Sequence, residues 1–351
     1  MVTTAAEALA KVKEYYGTLT KEKQNLKSKT CCSADSLPPM LREILELIEP
    51  EILDRFYGCG SPIPAALEGC SVLDLGCGTG RDAYLVSKLV GEEGCVIGID
   101  MTEEQLDVAQ RHQATMAERF GYAKSNVDFR LGHIEDLKSA GLGDNTVDVV
   151  ISNCVLNLSP EKERVFSEIF RVLKPGGELF FSDIFADRRI PKVLHEDPVL
   201  LGECLGGAMY TEDFRRLLRG LCCMDFRVVR QNKTTIGNPE IEAKVGNIKF
   251  SSRTIRAFKL PLEDICEDFG QVAYYRGGIK GSEFSFALDD HHTFRQNKPM
   301  LVCGNTAAMV SETRYGKYFE VVGDLSEHHG AFPCGPAPAS DDGSCSGGGG
   351  C

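Results

Sequence analysis

Three cysteines stand where the sequence pattern gives a thiol access to a ligand. Cys59 and Cys204 lie in glycine-rich segments, and Cys154 follows the apolar run 147–152. Thiolates bind soft metals and metalloids, whereas a buried cysteine with an apolar role is the alternative for each of them. Because glycine-flanked segments are poor candidates for a packed helix interior, we expect the glycine-flanked thiols to be accessible. The three cysteines are therefore candidates for chemistry beyond core packing.

A glycine-rich turn carries the second chemical signal. Gly76, Gly78 and Gly80 follow a short apolar strand, and the next predicted strand ends in Asp100. The G-x-G-x-G spacing differs from the longer spacing that holds a pyrophosphate at a helix N-terminus, which favours a ligand without phosphate. Asp74 is positioned to meet the amino end of such a ligand, and Asp100 is positioned to accept hydrogen bonds from ribose hydroxyls. The alternative is a tight turn that only connects elements of the sheet and binds no ligand.

The elements around this turn alternate between strands and helices, which predicts a parallel sheet. Strands are predicted at 72–75, 95–100, 127–131, 147–152, 178–183 and 225–231, and helices at 81–90, 102–121, 161–173 and 212–220. Beyond residue 240 the chain changes to short strand-like runs separated by glycine turns, beginning with the run 250–258.

Three sequence motifs of the core resemble those of the class I S-adenosylmethionine-dependent methyltransferases. The resemblance rests on D-L-G-C-G-T-G-R at 74–81, G-I-D-M-T at 98–102 and R-V-L-K-P-G-G-E-L at 171–179. It implies an α/β fold with a Rossmann-like sheet and S-adenosylmethionine as cofactor. With this fold we predict an N-terminal helical segment and lid at 1–60, a methyltransferase core at 61–235, a smaller α+β domain at 236–330 and a disordered cysteine- and glycine-rich tail at 331–351.

Three further segments, at 57–60, 152–155 and 202–207, resemble the substrate segments of the arsenite methyltransferases, and the likeness covers nearly the whole chain. It implies that Cys59, Cys154 and Cys204 bind trivalent arsenic, whose lone pair attacks the methyl group without a general base. It also implies Cys31 as the redox partner of Cys59, although the sequence leaves the adjacent Cys32 open. Glutathione or thioredoxin would then reopen the disulfide.

The same resemblance implies the residues that bind the cofactor. They are Tyr57, Asp74, Gly76, Gly78, Gly80, Arg81, Asp100, Met101, Ile134, Glu135 and Asn153. A solvated position at the start of a helix is an equal alternative for Arg81.

Composition restricts the partners of the protein. The net charge of −12 argues against nucleic acid and against an anionic membrane surface. Because no apolar run has the length of a membrane span or of a secretion signal, we expect a cytoplasmic protein, and by default a monomer. The 15 cysteines are then not a disulfide framework. We interpret seven others, Cys266 and Cys303 among them, as core or surface thiols, and the histidines, His291 and His292 among them, as surface residues. The three tail cysteines are expected to have no direct role, with help in thiol exchange or arsenic transfer as the alternative.

Two other functions are compatible with parts of the sequence. A class I carbon methyltransferase that acts on a sterol or quinone-type acceptor would share the glycine turn, but it would need a base and an apolar cavity instead of Cys154. A non-catalytic thiol protein that only binds arsenic would have no use for the cofactor turn.

Overall fold

A computed structural model describes residues 10, 12–13, 37–56, 58 and 60–334 of the chain. The predicted N-terminal helical segment is described only in part, by two short helices, α1 (Pro39–Leu45) and α2 (Pro50–Asp54). Both begin at a proline, which suits the first turn of a helix because its missing N–H has no partner there. Together they form part of the cover over one face of the sheet.

An eight-stranded sheet forms the body of the protein. Its strands are β1 (Ser71–Leu75), β2 (Cys95–Asp100), β3 (Val127–Leu131), β4 (Val147–Asn153), β5 (Leu173–Ala186), β6 (Met209–Tyr210), β7 (Phe226–Lys233) and β8 (Phe250–Phe258). The order is β3-β2-β1-β4-β5-β8-β7, and β6 pairs with β5. All pairs from β3 to β5 are parallel, whereas β8 is antiparallel to both of its neighbours. The order changes direction at β1 and β4, and ligands bind at such a switch point in open α/β sheets.

Helices cover both faces of the sheet, as expected for a parallel sheet whose strands are apolar on both sides. They are α3 (Arg81–Val90), α4 (Glu103–Arg111), α5 (Gln113–Phe120), α6 (Lys162–Val172), α7 (Lys192–His195), α8 (Pro198–Gly202), α9 (Thr211–Gly220) and α10 (Pro239–Val245). The predicted helix over 102–121 is divided at His112. No helix in the described part of the chain is long and apolar enough to cross a membrane. The predicted α/β sheet fold is confirmed.

The run 250–258 belongs to this sheet, so its assignment to the second domain is wrong. As β8 it pairs along its whole length with β5, from Phe250 opposite Ala186 to Phe258 opposite Glu178. The run carries Ser, Thr and Arg at positions that the sheet buries, and such side chains are typical of exposed positions. Its Arg256 is satisfied by an ion pair with Glu178, which the sequence pattern does not reveal.

Short strands and one helix follow the main sheet and form a smaller unit. They are β9 (Glu267–Asp268), β10 (Val272–Tyr275), β11 (Ser285–Ala287), β12 (Thr293–Arg295), β13 (Pro299–Leu301), α11 (Gly304–Ser311), β14 (Phe319–Val322) and β15 (Gly330–Ala331). Strand β10 pairs with β13 and β14, β11 with β12, and β9 with β15. The core of this unit contains the aromatic rings of Tyr275, Phe286, Tyr315 and Phe319. The α+β character predicted for this part of the chain is confirmed.

The beginning of the predicted tail is ordered. Strand β15 pairs with β9, and the N–H of Phe332 donates to the backbone oxygen of Cys266 at 2.8 Å. Order therefore extends at least to Cys334, and residues 335–351 lie outside the described part of the chain. The other predicted domain boundaries stay predictions.

Candidate active site

The glycine turn after β1 brings the backbone to the edge of the sheet. The N–H groups of Gly76 and Cys77 donate to the oxygen of Ile99, at 2.8 and 3.0 Å, and the N–H of Gly78 donates to Asp100 Oδ2 at 2.9 Å. Gly76 and Gly78 have φ values of +68° and +53°, a region that favours glycine. A Cβ on Gly78 would face open space, which leaves the backbone of the turn exposed to a ligand.

A cleft of about 990 Å³, measured out to its open mouth, lies over this turn. Most of the predicted cofactor residues line it, together with one predicted arsenic ligand. They are Asp74, Gly76, Gly78, Asp100, Met101, Ile134, Glu135, Asn153 and Cys154. Side chains that sequence reasoning did not select complete the lining, among them Asp82, Thr102, Gln105, His133 and Ser159. The signal for Asp82 is its place in the first turn of the helix that follows the glycines.

Carboxyl groups dominate the polar lining of the cleft. Asp74 and Glu135 are buried and Asp100 is half-buried, and Asp74 Oδ2 has no hydrogen-bond partner among the described residues. Burial raises the pKa of Asp74 well above its usual range, and the charges of Asp82 and Asp100 raise it further. Burial also raises the pKa of Asp100, against the N–H groups of Thr102 and Gly78 that donate to it. A cationic ligand would relieve this accumulation of carboxyl groups.

Gly80 and Arg81 stabilise the turn and do not line the cleft. A Cβ on Gly80 would lie 2.8 Å from the ring of Phe129, so glycine is needed for close packing of the helix on the sheet. The guanidinium of Arg81 lies 3.9 Å from the centre of the Phe56 ring and 2.8 Å from Asp82 Oδ1. Arg81 is buried, so the alternative of a solvated residue at the start of a helix is wrong.

Asn153 and Cys154 lie at the end of β4, beside the glycine turn. Asn153 Nδ2 donates to Asp82 Oδ2 at 2.8 Å and to the oxygen of Gly60 at 3.0 Å. Cys154 has a left-handed backbone, with φ of +58°, and only 4% of its surface is exposed. Among the ten described cysteines, Cys154 is disulfide-bonded and the other nine are not.

Cys204 lies behind Cys154, in the loop after α8. Its thiol donates to the backbone oxygen of Cys154 at 3.3 Å, and it is completely buried, so the expected accessibility is wrong for this thiol. The glycines of this segment allow it to pack closely against the neighbouring backbone. A Cβ on Gly207 would lie 1.9 Å from the backbone oxygen of Asn157, and one on Gly206 would lie 2.9 Å from that of Leu194. The segment is therefore pressed against the 3₁₀ turn Leu156–Leu158.

Asp183 lies beside the sulfurs of Cys154 and Cys204, and it was not among the residues predicted from sequence. A carboxylate oxygen of Asp183 and the sulfurs of Cys154 and Cys204 all lie within 4.8 Å of one another. Burial raises the pKa of Asp183 to about 7, although the N–H groups of Ile184 and Asn157 donate to it. Burial lowers the pKa of the nearby Lys162 to about 8, against the charges of Asp183 and Cys204. The position of Asp183, at the end of a predicted buried strand, is the signal that could have found it.

Four predicted residues or alternatives lie outside the described part of the chain, namely Cys31, Cys32, Tyr57 and Cys59. The structure thus brings together Cys154, Cys204 and most of the predicted cofactor residues.

A mostly parallel sheet of this order with a glycine turn after β1 and a carboxylate at the end of β2 defines a class I S-adenosylmethionine-dependent methyltransferase. The methyltransferase domain family matches residues 66–220, and the arsenite methyltransferase C-terminal domain family matches residues 269–340. The chain belongs to the arsenite methyltransferase family, as its relatives show.

Two relatives and one solved structure document the likeness. Arsenite methyltransferase of Aquipseudomonas alcaligenes is 49% identical over 92% of this chain and 94% of its own length. Human arsenite methyltransferase is 40% identical over 90% of this chain and 84% of its own length. The crystal structure of an arsenic(III) S-adenosylmethionine methyltransferase from Chlamydomonas reinhardtii is 51% identical, covers 85% of this chain and all of its own, and superposes with a TM-score of 0.82.

Proposed function

We propose that the protein methylates trivalent arsenic, first arsenite and then its monomethyl derivative, with S-adenosylmethionine as methyl donor. The observation that carries the proposal is the position of Cys154, which lines the cofactor cleft on one side and accepts a hydrogen bond from the Cys204 thiol on the other. A soft ligand bound by these sulfurs would lie beside the cleft. The names of the relatives support the same substrate.

The residues of the cleft fit S-adenosylmethionine, which supplies an electrophilic methyl group when bound. The unpartnered Asp74 Oδ2 and the neighbouring carboxyl groups suit a ligand that carries a sulfonium and an ammonium charge. Asp100 is held in place by the N–H groups of Gly78 and Thr102 and is available for ribose hydroxyls. Met101, Ile134 and Glu135 would surround the adenine, and Asn153 would lie near the point of transfer. Tyr57 is assigned to the sulfonium from the resemblance alone.

Thiolates suit trivalent arsenic because both are soft. Arsenous acid has three exchangeable hydroxyl groups, and each thiol that binds replaces one hydroxyl and releases one water. Cys59, Cys154 and Cys204 would replace all three. A monomethylated arsenic has two exchangeable positions, so Cys154 and Cys204 suffice for it. Arsenic bound by sulfur keeps its lone pair, which is the nucleophile, so the protein needs no general base.

A buried lysine, Lys162, interacts electrostatically with Cys204. The ammonium of Lys162 lies among Asp183, Glu135 and Cys204, and its charge stabilises a thiolate at Cys204. The same ammonium donates to the backbone oxygens of Asn157 and Ser159 at 3.2 and 2.8 Å, which fixes its position. Lys162 thus holds a positive charge beside Cys204.

Transfer of a methyl cation raises arsenic from oxidation state III to V, and two electrons must return before a second transfer. We propose that Cys59 and Cys31, or Cys32 in its place, supply them by forming a disulfide, which glutathione or thioredoxin then reduces. Because Cys154 is disulfide-bonded, a thiol reductant must also open that bond before its sulfur can take arsenic.

Incubation of the whole protein with labelled S-adenosylmethionine, arsenite and a thiol reductant, followed by separation of the arsenic species, tests this function. We expect label in monomethylated and then dimethylated arsenic, and little product without the reductant. Bound S-adenosylmethionine with unmethylated arsenic would contradict the proposal. Label in an added quinone or sterol precursor would then favour a carbon methyltransferase, and arsenic binding without transfer would favour a thiol protein that only holds arsenic.

A further inference from the structure

A second cluster of cysteines lies in the C-terminal unit, and none of its members lines the cofactor cleft. The sulfurs of Cys266, Cys303 and Cys334 all lie within 4.8 Å of one another. The Sγ atoms of Cys303 and Cys334 are 3.6 Å apart, and Cys334 Sγ is 3.9 Å from Nε2 of His292. The sequence separates these four residues widely, so their convergence appears only in the fold.

The imidazole of His292 makes the hydrogen bond to a carboxylate that is usual for metal-binding histidines. Its Nδ1 lies 2.8 Å from Asp289 Oδ2, and Asp289 is buried. This contact holds the ring with Nε2 toward Cys334, the arrangement in which a carboxylate orients a zinc-binding imidazole. His292 is only 6% exposed, so its assignment to the surface is wrong.

Cys303 is surrounded by donors that favour a thiolate. It caps helix α11, and its sulfur accepts from the N–H of Thr306 at 3.4 Å. Nη2 of the buried Arg227 lies 3.9 Å from the same sulfur, and Nη1 lies 3.3 Å from Asp289 Oδ2. Arg227 thus contacts both a thiol of the cluster and the carboxylate behind His292.

We propose that Cys266, Cys303, Cys334 and His292 form a structural zinc site. Zinc in structural sites is tetrahedral and takes three cysteines and one histidine among its common ligand sets. With Zn–S bonds of about 2.3 Å, neighbouring ligand atoms are roughly 3.6–3.8 Å apart, close to the two distances observed here. The binding releases the three thiol protons to solvent and changes no oxidation state.

Zinc suits this donor set better than trivalent arsenic does. Arsenic bound by three thiolates keeps a lone pair in its fourth position and has no use for an imidazole oriented by a carboxylate. The ion would join three separate parts of the chain. Cys266 precedes β9, Cys303 begins α11 and Cys334 follows β15, so the ion would attach the chain after β15 to the rest of the unit. This inference does not depend on the proposed function.

Metal analysis of the whole protein, purified with a non-chelating reductant and refilled with Zn²⁺, tests the site. We expect one zinc per chain in the wild type and in two comparison variants, Cys95→Ser, an exposed thiol elsewhere, and Cys204→Ser, which removes a thiol of the other cluster. We expect its loss in Cys303→Ser and weaker retention in His292→Asn. Zinc retained in Cys303→Ser, or lost in Cys204→Ser, would overturn the assignment.

Because a variant can also lose zinc by failing to fold, two further measurements use the wild type. Replacement of zinc by Co²⁺ should give the visible absorption bands of a tetrahedral thiolate site, and X-ray absorption at the zinc edge should show three sulfur neighbours and one nitrogen. A chelator should lower the melting temperature of the wild type but not that of Cys303→Ser. Displacement of the zinc by one equivalent of arsenite, with three sulfurs around the arsenic in Cys204→Ser, would make the cluster an arsenic site and contradict the proposal.

Discussion

The thiol of Cys204 donates to the backbone oxygen of Cys154 at 3.3 Å, and both cysteines have left-handed backbones, with φ of +61° and +58°. Such conformations are uncommon outside glycine and persist where the surrounding structure enforces them. Here the end of β4 and the packing of the segment at 202–207 enforce them. The relationship places two sulfurs, 50 residues apart in the chain, at one end of the cofactor cleft.

Gly207→Ala should disturb the position of Cys204. The added Cβ would lie 1.9 Å from the backbone oxygen of Asn157, so the segment has to move, at a cost of about 1–3 kcal/mol. We expect a lower melting temperature and weaker arsenite binding. Gly220→Ala is the matched control, because a Cβ there meets nothing within 4 Å. Equal stability and equal arsenite affinity of the two variants would show that the glycine does not position the thiol.

Asp74→Asn should weaken the binding of S-adenosylmethionine. The substitution removes a buried carboxylate, one oxygen of which has no partner among the described residues, and a hydrogen bond to a charged group contributes about 1.5–3 kcal/mol, or roughly 10- to 150-fold in affinity. Isothermal titration calorimetry with the wild type, Asp74→Asn and Asp107→Asn measures this. Asp107 is exposed on α4, and its substitution should leave the dissociation constant unchanged. A wild-type affinity in Asp74→Asn would contradict the assignment of this carboxylate.

The affinity for S-adenosylmethionine should also depend on pH through the same carboxyl group. Burial, Asp82 and Asp100 raise the pKa of Asp74, so in the ligand-free protein it takes up a proton at a higher pH than an exposed aspartate does. A cation binds the ionised form, so the dissociation constant should increase as the pH falls through this raised pKa. Asp100, whose pKa is also raised, contributes in the same direction. The dependence should be shallower in Asp74→Asn, and an identical pH profile in both proteins would refute this explanation.

Glu178→Gln should destabilise the fold where the main sheet meets the C-terminal unit. The completely buried carboxylate pairs with Arg256 and Arg314, and loss of one partner of a buried ion pair costs about 3–5 kcal/mol. Urea unfolding should show a clearly lower midpoint. Glu320→Gln breaks the exposed pair with Arg276 and should cost about 0–1 kcal/mol. Similar midpoints for the two variants would show that the buried network adds little stability.

The strands and turns near the cofactor could be predicted from sequence because their signals are local. Strands β2 and β3 have the predicted bounds, and Asp74 and Asp100 line the cleft over the glycine turn. Strand β8 was assigned to the wrong unit because its polar side chains are satisfied by partners far away in the chain. Asp183 ends a predicted buried strand, but only the fold places its carboxylate beside the sulfurs of Cys154 and Cys204.

The second thiol cluster was not predictable for a related reason. Cys266, Cys303 and Cys334 have no short metal-binding spacing, and only the pairing of β15 with β9 brings the last of them close. The burial of Cys204 was also not predicted from the local sequence pattern. Cys204 is completely enclosed because Gly206 and Gly207 allow close packing, whereas flanking glycines suggested an exposed loop.

The central claim, that Cys154 and Cys204 hold the arsenic that is methylated, is tested most directly by arsenic speciation with two single variants and two substrates. Cys154→Ser should methylate neither arsenite nor monomethylarsenite, whereas Cys59→Ser should lose the first reaction and keep the second. Cys95→Ser should behave as the wild type, and all variants should retain S-adenosylmethionine binding. Equal activity of Cys154→Ser and Cys59→Ser on both substrates would contradict the account.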